Sequence, residues 1–291
     1  MILPFWGANV AQLRVCVTAI LGQTLPHDRF ELIVIDNHQT PHPDLVATLP
    51  AGCILLHEPR PGSYTARNRG LTHATGEIVA FIDSDCEPMP DWLAAGVAAL
   101  TDDPGLGFIG GRIALTSRRE RPNIVEMYDF SLGLNQQEYI AVGGFCATAN
   151  LFTRASVLRT VGPFDHTVYS GGDRMWGERA IALGFRCAYA AEAVVLHPAR
   201  ATLGDLITRS RRVAAADLRR LRAAGALENP LRARRSRAEL TLAATRVLRI
   251  AQGRRRNGIV ATCGAMVVAL LVVLVKAAEC LRLVFGGRPQ R

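Results

Sequence analysis

Along the first two hundred positions, short apolar runs recur, and two of them end in a carboxylate. One is Glu31-Leu-Ile-Val-Ile-Asp36 and the other is Ile78-Val-Ala-Phe-Ile-Asp83. Neither alternates apolar with polar residues, which predicts strands covered on both faces, as in a parallel sheet. The full pattern predicts strands near 31–36, 53–57, 78–83, 107–115 and 186–196. Helices are predicted near 9–22, 63–74, 90–101, 154–161 and 173–183. This alternation argues for an α/β fold, one sheet between two helical layers. Residues 120–143 are polar and poorly periodic, and read as irregular chain.

Beyond residue 200 the pattern changes. Leu203 to Ala224 and Ala233 to Ala251 place apolar residues at helical spacing with Arg between them, and Glu228-Asn-Pro230 divides the two. A basic amphipathic helix either lies in a membrane interface or packs on the preceding domain with its Arg residues solvated. Gly258 to Val275 then runs for eighteen residues without a charge. At ~1.5 Å per residue that is ~27 Å, close to the hydrocarbon thickness of a bilayer. Arg254-Arg255-Arg256 precedes it, so the positive-inside rule puts that end in the cytoplasm. Lys276, Glu279 and Arg282 follow, leaving Leu281, Leu283, Val284 and Phe285 for an apolar face. A spanning helix is the first expectation and a surface-lying helix the second. The expected organisation is a catalytic domain over 1–200, a basic helical segment over 201–257 and a membrane helix over 258–285.

Charge sharpens this division. The net charge is +9, yet residues 1–198 hold 14 basic and 20 acidic side chains, whereas 199–257 hold 16 and 4. A basic segment next to an acidic domain suits tethering to an anionic surface, an inner-membrane location with the catalytic domain cytoplasmic. No zinc, helix-turn-helix or RNA-recognition pattern accompanies the charge, so nucleic acid is not an expected partner. Seven scattered cysteines without a C-x-x-C pair fit free thiols in a reducing compartment. The first residues lack the basic start of a secretory leader.

Candidate chemistry gathers at the predicted strand ends, where open α/β sheets bind ligands. Asp83-Ser84-Asp85 could direct two carboxylates at a divalent cation, since Mg²⁺ typically takes one or two and leaves its other positions to water and phosphates. Taken alone, the triplet reads equally as a solvated turn. Between Asp36 and Asp83 lies Arg60-Pro-Gly-Ser-Tyr-Thr-Ala-Arg-Asn-Arg-Gly70, a turn followed by a helix start with Ser63 as the expected N-cap. A helix start with Arg nearby suits phosphate. His197, at the end of an apolar run, is a candidate metal ligand or diphosphate contact, or a structural histidine.

In this order and spacing, the chain resembles glycosyltransferase family 2, the inverting enzymes of GT-A fold that use nucleotide-sugar donors. The resemblance covers roughly residues 1–200. It rests on Leu3-Pro4-Phe5-Trp6, on Gly22-Gln-Thr24 with Glu31 to Asp36, and on Pro61 to Gly70 through Asp83-Ser-Asp85 and Trp92-Leu93. It continues at Gly143-Gly-Phe-Cys-Ala-Thr-Ala-Asn150, Val161-Gly-Pro-Phe-Asp165 and Ser170-Gly-Gly-Asp173. The resemblance implies that Asp173 is the catalytic base and that Asp83 and Asp85 serve the Mg²⁺ or Mn²⁺ and the diphosphate, with Asp85 the direct ligand and His197 a further one. It implies that Pro4, Trp6, Asp36, Arg60, Arg67, Asn68 and Asp83 line the nucleotide-sugar site. The family often has Glu before the base, where this chain has Gly172. Only Met1-Ile-Leu3 precedes Pro4, a short first strand that bears on donor affinity. The expected reaction is transfer of a sugar to a lipid-linked or saccharide acceptor at the membrane in envelope or exopolysaccharide assembly, with residues 120–143 a candidate for the acceptor side. The alternative is a non-catalytic nucleotide-sugar-binding or scaffold protein.

Overall fold

The protein was analysed as a computed structural model, which describes residues 1–7, 9–223 and 259–287. Eight strands form one sheet: β1 (Ile2–Phe5), β2 (Ile33–Asp36), β3 (Ile54–His57), β4 (Ile78–Ile82), β5 (Glu87–Pro88), β6 (Leu106–Thr116), β7 (Asn150–Arg154) and β8 (Arg186–Pro198). Their spatial order is β3-β2-β1-β4-β7-β6-β8-β5. The first four pair in parallel, β7 runs antiparallel between β4 and β6, and β5 is antiparallel to β8. The described helices are α1 (Val10–Leu21), α2 (Leu45–Thr48), α3 (Ser63–Leu71), α4 (Trp92–Asp102), α5 (Ile124–Leu132), α6 (Gln136–Glu138), α7 (Ala155–Val161), α8 (Gly172–Ala182), α9 (Leu203–Ala223) and α10 (Ile259–Val284).

The continuous apolar runs split by strand pleat. Leu3, Phe5, Val34, Ala80 and Ile82 enter one core with Leu13, Val17 and Ile20 of α1 and Trp92 of α4. Ile2, Ile33, Ile35, Val79 and Phe81 enter the other with Tyr64 of α3, Leu158 of α7 and Trp176 of α8. Alternate residues face opposite layers, so a strand covered on both sides needs no polar positions. Each large side chain so buried contributes about 1.5–3 kcal/mol.

The first strand is not confined to the three residues before the proline. It runs to Phe5, is buried throughout, and pairs with β2 at every position from Ile2↔Ile33 to Phe5↔Asp36. Its registered pairing with β4 is at Ile2↔Phe81, so the N–H that Pro4 lacks is missed by no registered partner on that side. The chain runs β1, β2, β3 toward one edge and returns to β4 beside β1, which makes β1/β4 a topological switch point. Ligand crevices in open α/β sheets form at such points.

By packing, the described residues of 1–114 and 134–197 form one compact unit, and those of 115–133 and 198–287 a second. The stretch expected to be irregular contains α5, which Asn123 and Glu126 start with a reciprocal capping box. In the second unit Tyr128 of α5, Leu206 of α9 and Ala265, Val268 and Val272 of α10 form a small core. Asp129 accepts from the Arg200 backbone N–H at 2.9 Å and pairs with its guanidinium. The helix expected over 233–251 lies outside the described residues.

Candidate active site

Three strand ends bring the site together. Asp36 closes β2, Trp6 follows β1, and Asp83 follows β4. Asp36 is buried, and both of its oxygens have protein partners: Oδ1 accepts from His38 Nδ1 at 2.6 Å, and Oδ2 from the His42 backbone N–H at 2.6 Å. Burial opposes ionisation of Asp36, but these donors outweigh it and hold the carboxyl below its ordinary range. His38 Nε2 accepts from the Gly7 N–H at 3.1 Å, so its proton sits on Nδ1, facing Asp36. Pro4 is enclosed within β1, while Trp6 is largely exposed.

Asn37 shapes the turn ahead of α3. Its amide donates to the Glu58 and Arg60 carbonyls, each at 2.7 Å, and its oxygen accepts from Gly62 N–H at 2.9 Å. Gly62, at φ 130°, occupies the N-cap position, so Ser63 is the first helical residue and not the cap. Only glycine enters that backbone region without strain. Arg60 reaches outward but holds Glu58 bidentately through Nε at 2.9 Å and Nη2 at 2.8 Å. Asn68 exchanges two hydrogen bonds with the Phe164 backbone, at 2.8 and 3.0 Å.

Helix α3 then links the two acidic clusters. Tyr64 and Arg67 stand one turn apart on the same face. Arg67 is buried, and its Nη2 pairs with Asp83 Oδ1 while its guanidinium lies 5.8 Å from the Tyr64 ring centroid. Its Nε is buried without a hydrogen-bond partner. Tyr64 donates its hydroxyl to Asp173 Oδ1 at 3.1 Å, and the same oxygen accepts from the Arg174 N–H at 2.9 Å. Asp173 keeps part of its surface open, although dense protein surrounds the carboxyl group. Burial lifts its carboxyl above the ordinary value, and the Arg174 N–H, the Tyr64 hydroxyl and the Arg67 charge offset only part of that rise. A carboxylate so placed is more basic than a solvated one. The Arg174 bond also satisfies the start of α8, and the carboxylate's remaining oxygen capacity leaves capping compatible with proton acceptance.

The glycine before Asp173 has a steric reason. A Cβ on Gly172 would stand 2.7–2.9 Å from three atoms of the Tyr64 ring. Tyr64 stacks in turn on Phe164, with centroids 5.8 Å apart, and Phe164 meets Trp176 at 5.6 Å.

On the other side, His197 Nε2 lies 3.9 Å from Asp85 Oδ1. Asp85, Cys86 and His197 offer ligand atoms that all fall within 4.8 Å of one another. A carboxylate with an imidazole suits Mn²⁺ and admits Mg²⁺. Burial, reinforced by the charges of Asp83 and Asp85, pushes the Cys86 thiol well up, which disfavours the thiolate a soft metal would need. Asp83 is not part of this group; its Oδ1 belongs to Arg67. The sequence reading named Asp85, His197, Asp83 and Asp173 but missed Tyr64, whose one-turn spacing from Arg67 was the available signal. It also missed Glu58 and His38, which fix the conformations of Arg60 and Asp36. A separate groove of about 740 Å³ beside α1 and α2 contains none of these residues.

The family model for Glycosyl transferase family 2 matches residues 1–161. The chain belongs to this family. Glycosyltransferase AglE of Haloferax volcanii is 32% identical to it over 221 residues, which covers 73% of this chain and 70% of that protein. Pre-mycofactocin glycosyltransferase of Mycobacterium tuberculosis is 32% identical over 209 residues, 69% of this chain but 43% of that longer protein. Among solved structures, mannosyltransferase PcManGT from Pyrobaculum calidifontis, in complex with GDP-Man and Mn²⁺, superposes with a TM-score of 0.62 at 21% identity, covering 96% of this chain and 86% of that one. S. aureus TarS 1-349 in complex with UDP gives 0.51 at 18% identity, covering 74% and 63%. At such identities the likeness is one of fold, and the fold is GT-A. This glycosyltransferase takes its sugar from a nucleotide-sugar donor.

Proposed function

We propose that this glycosyltransferase inverts the anomeric centre and passes a sugar to a lipid-linked or saccharide acceptor at the cytoplasmic face of a membrane, in envelope or exopolysaccharide assembly. The observation that carries the reading is the Asp83–Arg67–Tyr64–Asp173 arrangement, which ties a carboxylate of raised basicity through α3 to the segment that carries Asp85. Asp173 takes the proton from the acceptor hydroxyl as its oxygen bonds to C1. The C1–O bond to phosphate breaks on the opposite face, and its electron pair leaves with the nucleoside diphosphate. Asp85 and His197 would hold a divalent cation, which supplies Lewis-acid stabilisation of the charge on the leaving diphosphate. Arg67 keeps Asp83 oriented, and Asp36 lies at the strand end expected for the nucleoside. The GDP-Man and Mn²⁺ of one structural neighbour and the UDP of another support this donor and ion chemistry.

Membrane attachment is supported by the apolar helix Ala261–Val284, long enough and apolar enough to cross a bilayer, and by the basic content of residues 199–257. The first strand is buried throughout and paired with β2 at each of its four positions, which supports the catalytic reading over the non-catalytic one. The test is a panel of nucleotide sugars with Mn²⁺ or Mg²⁺ against EDTA, using polyprenyl-phosphate acceptors and reading release of nucleoside diphosphate. Metal-dependent release from one donor, lost in Asp173→Asn, is the expected result. Release that persists in Asp173→Asn would overturn the assigned base.

A further inference from the structure

We infer that α9 and α10 seat together in one leaflet of an anionic phospholipid membrane, with α10 in the membrane plane and both of its ends on the same side. This rests on the membrane attachment proposed above and goes beyond it by fixing the mode. The charge-free run by itself predicts a spanning helix. Packing inside the second unit changes that reading.

α10 is inside out for a helix in water. None of its described exposed positions carries a charged or hydrogen-bonding side chain apart from the Cys263 thiol. Val267, Leu270, Val273, Leu274, Leu281 and, one residue past the helix, Phe285 are 58–84% exposed. They recur at three- and four-residue intervals and so make one continuous face. Its charged residues lie off that face: Lys276 and Arg282 are half-buried, Glu279 is buried, and Arg282 pairs with Glu279 at 2.6 Å. A soluble helix buries its apolar stripe and shows its charges to water; this one buries one apolar stripe, in Ala265, Val268 and Val272, and shows a second, and the chemistry that covers such a face is hydrocarbon.

The length of α10, 26 residues, would also allow a crossing. α9 decides against it. Leu206 near the start of α9 shares the core with Ala265, Val268 and Val272, and Arg222 near its end donates to the Leu283 carbonyl at 3.5 Å. The two helices therefore run side by side over most of their length. α9 exposes Arg211, Arg219 and Arg222. If α10 crossed the bilayer, α9 would carry these guanidinium groups into hydrocarbon, where each is strongly disfavoured. An in-plane seat satisfies both helices: the apolar face of α10 meets acyl chains, and the Arg residues of α9 meet anionic headgroups.

The test uses the full chain, with a protease-cleavable tag after Arg291, in membranes from producing cells. In inside-out vesicles, removal of the tag together with digestion of residues 1–200, and protection of both in right-side-out vesicles, is the expected result. A tag that is cut only where residues 1–200 are protected would establish a spanning helix and overturn the in-plane seat. Failure of the protein to sediment with membranes at all would instead defeat the membrane attachment on which the inference rests. On synthetic vesicles, the triple change Arg211→Gln, Arg219→Gln, Arg222→Gln should weaken binding to phosphatidylglycerol-containing vesicles about tenfold, and much less to pure phosphatidylcholine. Equal binding of both proteins to the anionic vesicles would overturn the headgroup contact.

Discussion

Tyr64 donates a hydrogen bond to Asp173 Oδ1 at 3.1 Å across 109 residues of chain. That bond favours the ionised carboxylate against a burial that disfavours it, so the tyrosine sets how basic Asp173 is and where it points. Because the raised group must lose its proton before it can accept one, activity should rise with pH through a value above the ordinary Asp range.

Tyr64→Phe keeps the ring and its stacking on Phe164 but removes the donor. The acidic limb of the pH–kcat profile should move to higher pH, and kcat near neutrality should fall about tenfold, ~1.4 kcal/mol in the barrier. An unmoved limb would show that the hydroxyl does not act through Asp173.

Gly172→Glu would install the acidic residue that the family often has before the base. In this chain its Cβ collides with the Tyr64 ring. Overpacking of this kind costs about 1–3 kcal/mol, and the displaced tyrosine should bring the kinetic signature of Tyr64→Phe with it. The double change Gly172→Glu with Tyr64→Ala should recover stability but not the wild-type pH profile, measured by thermal unfolding and steady-state rates.

At the proposed cation site, Asp85→Asn should raise the Mn²⁺ concentration needed for half-maximal activity by about 100-fold and His197→Ala by about tenfold, at least the roughly 10–100-fold that loss of a ligand's supporting partner costs. Cys86→Ala should leave that concentration unchanged, because burial and the charges of Asp83 and Asp85 push the thiol up and oxygen and imidazole ligands suit Mn²⁺ better. A titration of activity against Mn²⁺ after EDTA treatment separates the three.

Asp36→Asn should destabilise the protein by about 1–3 kcal/mol at neutral pH by disturbing the pairing with His38 and His42. Asp36 is depressed in the folded state, so its contribution is complete above the ordinary Asp value and fades as pH falls through the folded one. The gap between wild type and variant in urea unfolding should therefore narrow below about pH 4.

The strand ends were legible because a buried strand is a local pattern: Ile78 to Ile82 is apolar whichever strands flank it. The start of α8 was expected within a residue of where it lies, and Asp173 was picked out there by the resemblance to the family rather than by any local pattern. β7 was not legible, because Asn150 to Arg154 mixes Asn, Thr and Arg with its apolar residues. Asn150 is buried all the same, its side chain bonded to Trp92 and to the Arg112 and Ala193 carbonyls. No window of sequence shows that those partners exist. α5 carried a readable sign in Asn123-x-x-Glu126, which its polar surroundings hid. The pairing of Asp85 with His197 and of Tyr64 with Asp173 is tertiary, and only the fold brings those residues into reach.

The place of β7 has a consequence for synthesis. Among the described strands, β1 to β4 pair only with one another and with β7, and all four are present once residue 82 has been made, so the strands that carry Asp36 and lead to Asp83 precede the rest of the sheet. β7 has to wait for residue 154 before it can dock on β4, and His197 arrives later still. In that order the chain completes the strands beside the proposed donor site first, the proposed base Asp173 next and the proposed cation ligand His197 later, with α9 and α10 after it. The proposed cation ligand and the helices proposed to reach the membrane are therefore made close together, well after the first four strands.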